Sequence, residues 1–237
     1  RHIQDHDVHE LAESLTTRMN LEMAAVDEII AIAYQVKPYT VCLVPESREE
    51  ITTEGGLDVV AQQAWLTEVV TGMHAHGIRV SMFIDPEVAQ VEASAATGAD
   101  FVELHTGAYA NARDVAREIR RLQESAAAIA QTPLRFHAGH GLTAHNLAPI
   151  VGLQGLREVN IGHDIVSRAV FIGLDAAVKE ILDALKKFKD DPSVKSLLLY
   201  GEGPSFCSGM DLKALGPDGP EEARQRLKRF VTAGGFL

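Results

Sequence analysis

Short apolar runs alternate with longer amphipathic stretches from one end of this chain to the other, and that alternation restricts the fold more than any single residue does. The strand-like runs are Met19–Met23, Val41–Val44, Arg79–Ile84, Phe101–Leu104, Leu134–His137, Glu158–Ile161 and Ser196–Tyr200. Between them, apolar residues recur at helical spacing over Val26–Gln35, Leu57–His76, Val88–Thr97, Ala110–Ala130 and Ile165–Phe188. Parallel strands cannot be joined by a tight turn. They need a crossover, and a helix supplies one that satisfies its own backbone. Strict alternation therefore predicts parallel βαβ units and an α/β fold.

A second pattern separates a barrel from a doubly wound sheet. Glu22 lies in the first strand, Glu46 follows the second and Asp85 the third; Glu103 and His105 are on the fourth, His140 follows the fifth and His163 the sixth. In a barrel these strand ends converge on one mouth, where active sites of that fold are built. The expected class is a (β/α)8 TIM-barrel-derived fold. Seven strand candidates fall short of the eight that closure needs, so the barrel is expected to be incomplete or patched. A carboxylate such as Glu22 among apolar neighbours is costly unless paired (Arg18 is one candidate) or pushed toward general-base behaviour by desolvation.

Net charge decides against one class of partner. With 33 acidic and 22 basic residues the chain carries −11, and no basic patch or tail is visible, which argues against nucleic acid or an anionic membrane. Small phosphorylated substrates remain compatible, because a few backbone amides and local cations hold a phosphate. Two cysteines, Cys42 and Cys207, sit far apart, so no disulfide framework is implied and a reducing cytoplasm is expected. No apolar run is long enough to span a bilayer.

Three glycine-bearing segments carry the chemistry. Thr52-Thr-Glu-Gly-Gly56 precedes the long helix from Leu57, where hydroxyls and backbone amides suit a phosphate or an ordinary cap equally well. His137-Ala-Gly-His-Gly141 and Asn160-Ile-Gly-His163 each follow a strand, and their glycines permit close backbone approach to a ligand. A metal cluster of His137, His140, His145 and His163 is an alternative, although the spacing matches no familiar zinc or iron pattern.

Together Arg18–Ala24 (RMNLEMA), Cys42–Gly56 (CLVPESREEITTEGG), Phe101–Gly107 (FVELHTG), Ala138–Leu142 (AGHGL) and Asn160–His163 (NIGH) resemble pyridoxine 5'-phosphate synthase, in that family's order and spacing, over residues 1 to about 182. The resemblance implies a (β/α)8 barrel assembled as a homo-oligomer (usually an octamer), with no metal or organic cofactor. It also implies condensation of 1-deoxy-D-xylulose 5-phosphate with 3-amino-2-oxopropyl phosphate, releasing water and inorganic phosphate. Carried over by position, Glu22 matches the catalytic base and His140 the proton donor. His2 and Thr52 match residues that hold the deoxyxylulose phosphate. Gly141, Gly162 and His163 match those that hold the amino-ketone phosphate and the product, and Glu103 points into the same pocket.

Two departures accompany the resemblance. The family carries two further strands and a helix ahead of the matched region, with an Asn-x-Asp-His motif and a second catalytic histidine. Without these the expected turnover is lower by orders of magnitude. His137 stands where the family usually has asparagine. From about residue 183 to 237 the chain is similar instead to the crotonase (enoyl-CoA hydratase) superfamily, over Asp190–Gly203 and Ser205–Lys213. There the Met210 amide matches one oxyanion-hole donor. The expected organisation is thus a partial synthase barrel over 1–182 and a crotonase-like βα fragment over 183–237, joined inside one helix. An acyl-CoA-binding protein and a non-catalytic barrel scaffold are the alternative functions.

Overall fold

Six strands pair side by side, all parallel and in chain order, in the computed structural model, which describes residues 3–45 and 55–186. Helix α1 (Asp5–Ser14) precedes β1 (Asn20–Ala24); then follow α2 (Asp27–Val36), β2 (Thr40–Val44), α3 (Val59–Ala75), β3 (Arg79–Ile84), α4 (Val88–Ala96) and β4 (Phe101–His105). The remainder is α5 (Gly107–Ala110), α6 (Val115–Ile129), β5 (Arg135–Gly139), α7 (Ala148–Val151), β6 (Leu156–Asn160), α8 (His163–Ile172) and α9 (Leu174–Lys186). This is a parallel α/β sheet of the TIM-barrel kind, as the alternation predicts. The seventh strand candidate, Ser196–Tyr200, lies outside the described residues.

Two expected helices are each two helices, for local reasons. The Ala110–Ala130 pattern is interrupted at Asn111, whose backbone and side-chain amides both donate to the Gly107 carbonyl (3.1 and 3.0 Å) and close α5 on itself. Asp114 then starts α6 afresh by accepting from the Arg117 amide at 3.0 Å. The Ile165–Phe188 pattern breaks at Gly173, whose φ of 83° only glycine adopts without strain. The first turn of α3 is held by Asp58, which accepts from the Ala61 amide at 3.1 Å. The Gln90 side chain of α4 ties that end down by accepting from Val59 N (2.8 Å) and donating to Asp58 (3.0 Å).

Period-two alternation along the strands sorts side chains onto two faces. Val41, Leu43, Val80, Met82, Ile84, Val102, Leu104, Ala138 and Val159 join one apolar cluster with helix residues such as Ile30, Leu66, Met73, Val91, Leu122 and Ile129. That cluster is the core between sheet and helices. The other face is polar. Parallel register aligns Glu22 with Cys42 and Cys42 with Ser81 at one level, then Phe83, Glu103, His137 and Glu158, then His105, Gly139 and Asn160. A one-residue slip in any strand would exchange the two sets.

Leu104, fully buried on the helix-facing side, and Phe171, 81% exposed at the end of α8, test this division. Leu104→Ala is expected to cost about 2–5 kcal/mol, lowering Tm by roughly 5–15 °C for a chain of this size. Phe171→Ala should stay within about 0.5 kcal/mol of the parent. Thermal melts of both variants check this, and comparable losses from the two would contradict the placement of the core.

Candidate functional site

Glu103 lies at the middle of the polar face, 1% exposed. A carboxylate so deeply buried needs hydrogen bonds to offset desolvation. Asn160 Nδ2 donates to its Oε2, and the Cys42 thiol lies 3.9 Å from the same oxygen. Gly139, on the intervening strand, makes room: a Cβ there would collide with Glu103 Oε1 and approach Asn160 Cβ to 2.9 Å. Glu22 occupies the same face from β1, half-buried and in register with Cys42.

One residue further along, a chain of side chains runs across the strand ends. Asp85, just past β3, accepts from His105 Nδ1 at 3.0 Å. That bond, aided by the Gly56 amide and by the charges of His105 and Arg121, holds the Asp85 carboxyl below the usual carboxylate range although burial pulls the other way. The His105 ring is 5% exposed and packs edge-on against Phe83 (5.1 Å) and His140 (4.6 Å between centroids). Its Nε2 and the His140 Nδ1 are both buried without a hydrogen-bond partner among the described residues.

His140 is positioned by backbone strain that its neighbours contain. It adopts φ of 80°, a left-handed conformation costing a β-carbon-bearing residue about 1–3 kcal/mol. Buried Thr106 clamps the turn: its hydroxyl reaches the carbonyls of Gly139 and His140 (2.7 Å each), while its amide donates to Gly139 O at 2.8 Å. Gly141 follows with φ of 72°, and Asn146 Nδ2 donates to its carbonyl at 3.0 Å. Burial first, then the nearby His105 and His163, push the His140 imidazole down to about 4, so it is neutral at pH 7.

At the next strand end, buried Gly162 precedes α8, and exposed His163 is that helix's first residue, so its opening amides face the same end of the sheet. On the other side Gly56 is wedged against the backbone of Ile84 and Asp85, where a Cβ would collide, and Leu57 N donates to Phe83 O at 2.7 Å. His137 lies below the mouth, its ring tilted against Phe101 (4.9 Å between centroids). Burial, then Arg135 and Arg157, lower it to about 4. The Glu158 carboxylate, 3.6 Å from Nδ1, is too far for a hydrogen bond that would restore the charged form.

Of the sequence-derived candidates, Glu22, Glu103 and His140 share one face, with Gly141, Gly162 and His163 at its C-terminal edge. His2, Glu46, Thr52 and Met210 lie outside the described residues. Among the described residues no group of three or more His, Cys, Asp or Glu side chains converges as a metal site. The sequence pattern assigned no role to Asn160, Thr106 or Gly107, and gave Gly139 close backbone approach to a ligand rather than room for Glu103. Their signal was present as small or hydrogen-bonding residues at strand termini beside acids and histidines, where packing alone favours larger apolar groups.

Residues 1–187 match the family model described as Pyridoxal phosphate biosynthesis protein PdxJ. The chain belongs to this family. A pyridoxine 5'-phosphate synthase of Synechococcus sp. (strain CC9605) is 48% identical over 206 residues, covering 86% of this chain and 80% of that one. Another, from Synechococcus sp. (strain JA-2-3B'a(2-13)), is 52% identical over 188 residues, covering 78% and 79%. The crystal structure of citrate synthase SbnG aligns over 97% of this chain and 86% of that chain at 10% identity with a TM-score of 0.50, a likeness of fold alone. This PdxJ-family chain is accordingly an enzyme of pyridoxine 5'-phosphate synthase type, with a role in vitamin B6 biosynthesis.

Acid stability follows from the two buried imidazoles. Both fold with proton affinity depressed from about 6.5 to about 4. Between those values the unfolded chain binds more protons, so stability is full above pH 6.5 and declines as pH falls toward 4. Asp85 and Asp58, both depressed, add their losses only below the ordinary carboxylate range. His137→Asn is expected to flatten the decline of Tm between pH 6.5 and 4.5, and an unchanged slope would show that His137 does not fold neutral.

Proposed function

We propose that this chain condenses 1-deoxy-D-xylulose 5-phosphate with 3-amino-2-oxopropyl phosphate, closing the pyridine ring of pyridoxine 5'-phosphate with release of water and inorganic phosphate. The observation that carries this reading is the convergence of Glu103, the Asp85–His105 pair and His140 at the C-terminal ends of one parallel sheet, with Gly141 and Gly162 in the adjoining turns. Glu22 is the base that abstracts protons next to the ketone. His140 starts as a neutral imidazole in the free protein. Bound phosphate dianions raise its proton affinity, so that it takes up the proton it later delivers to a departing hydroxide.

The α8 N-terminus at Gly162 and His163, with the Gly141 amide, holds the amino-ketone phosphate. Thr52 and His2 hold the other phosphate. Glu103, acceptor-only when ionised, orients the amine and hydroxyl groups of the intermediates. A cytoplasmic homo-oligomer is the setting that the family resemblance supports for this reaction; among the described residues no helix is long and apolar enough to cross a membrane. The sequence over 183–237 supports, by its resemblance to the crotonase superfamily, a second function in which the Met210 amide would supply one oxyanion donor.

The test uses the full chain, following phosphate release with both substrates and melting with each alone. Glu22→Gln and His140→Gln are each expected to lower kcat by about 10²–10⁴-fold, while a substrate at a hundred times its Kd stabilises the parent by about 2.7 kcal/mol. A melting temperature indifferent to both substrates, or variants that turn over like the parent, would overturn the assignment.

A further inference from the structure

We infer that Asp85 and His105 act as a relay that fixes the tautomer of His140, with the proton on Nδ1 and the lone pair on Nε2, making His105 a positioning residue for the reaction. The inference rests, for its catalytic consequence only, on His140 being the proton donor. Its geometric basis is independent of that role.

His105 Nδ1 lies 3.0 Å from the Asp85 carboxylate, which can only accept, so the neutral form of His105 keeps its one proton on Nδ1 and a lone pair on Nε2. That lone pair is buried without a partner among the described residues, and so is His140 Nδ1. The two nitrogens border one small space. A Cβ at Gly107 would lie 2.6 Å from His105 Nε2 and 3.0 Å from His140 Nδ1, so the absence of a side chain at 107 leaves both bordering the same space. The rings stand edge to face with centroids 4.6 Å apart. If the proton of neutral His140 were on Nε2, two buried lone pairs would confront one another with no donor between them, which is penalised twice over. With the proton on Nδ1, His140 turns a donor toward the space that the His105 Nε2 lone pair borders. The Thr106 clamp on the Gly139 and His140 carbonyls limits how far that turn can drift from His105.

A purely packing role for His105 leaves two things unaccounted for. A buried aromatic against Phe83 needs neither a carboxylate on one nitrogen nor a glycine in front of the other. Phenylalanine or leucine would fill the volume without an orphaned polar atom. The arrangement gives His140 a single basic nitrogen, Nε2, to take up and return the proton, and the tautomer is set before substrate arrives.

The experiment is a long-range proton–nitrogen correlation on the full chain labelled with nitrogen-15 in its histidines, with the His140 signals assigned by their loss in His140→Gln. The expected result is the Nδ1–H tautomer for His140 in the parent at pH 7.5. In Asp85→Asn the new amide donates to His105 Nδ1, His105 moves its proton to Nε2, and His140 switches to Nε2–H. His105→Phe fills the volume, removes the acceptor that faces the space beside His140, and releases His140 to a mixture. In both variants kcat falls on the order of 10- to 100-fold with KM little changed, part of what a positioned acid contributes. An Nε2–H tautomer in the parent, a measurement that needs no variant to fold, overturns the inference. So does a His140 tautomer that neither substitution moves. Full turnover in His140→Gln would instead overturn the role of His140 in the proposed reaction, leaving the tautomer result to stand on its own.

Discussion

A carboxylate buried at the centre of a parallel sheet cannot be tolerated by packing alone, and Glu103 sets terms that several other residues meet. Its Oε2 takes the Asn160 amide from β6, its Oε1 is reachable because β5 carries a glycine at residue 139, and Cys42 of β2 approaches from the opposite side. These four positions belong to four strands. They meet only if the strands keep their mutual register, which is a property of the sheet as a whole. The helix-facing side supplies the restoring force: each strand buries its alternate valines, leucines, methionines and isoleucines against α2, α3, α4 and α6, so a slip that misplaced Glu103 would also expose the core. Hydrophobic burial on one face thus holds polar precision on the other.

The strand ends show a second economy of construction. Where β4 and β5 finish, Thr106 binds two carbonyls of the next turn, Gly107 clears space between two imidazoles, and His140 accepts a left-handed backbone to present its ring. Strain at His140 and burial of two unpartnered nitrogens both oppose folding. Both sit where the proposed chemistry needs a group whose orientation and proton position do not wander. Gly56 is tied to the same place, because its amide donates to Asp85, the carboxylate that orients His105. Gly56, relay and histidine are therefore coupled through one acid.

Much of this was readable in the amino-acid order. The six described strands fall within a residue or two of their apolar runs, because five or six alternating β-branched and aliphatic residues between turn signals have few other ways to bury themselves. Helix ends were less legible. Asn111 and Asp114 break one pattern and Gly173 another, since a single side-chain hydrogen bond or left-handed residue overrides a continuous apolar stripe. Glu22, Glu103 and His140 could be picked out as polar residues in apolar surroundings, and the motif order around them gave the family.

What the sequence by itself determined is the α/β class, the identity of the acids and histidines at the strand ends, and membership in the PdxJ family. All of these are encoded locally, in periodicity and in short contiguous motifs. Which of those groups touch was decided by the tertiary structure alone. Asp85 meets His105 across 20 residues, Glu103 meets Asn160 across 57 and Cys42 across 61, because parallel strands in register bring distant segments to one level. The proton affinities of His137 and His140 belong there too. Depressed chiefly by burial, they are properties of the space the folded chain leaves around each ring rather than of the residues beside it in sequence.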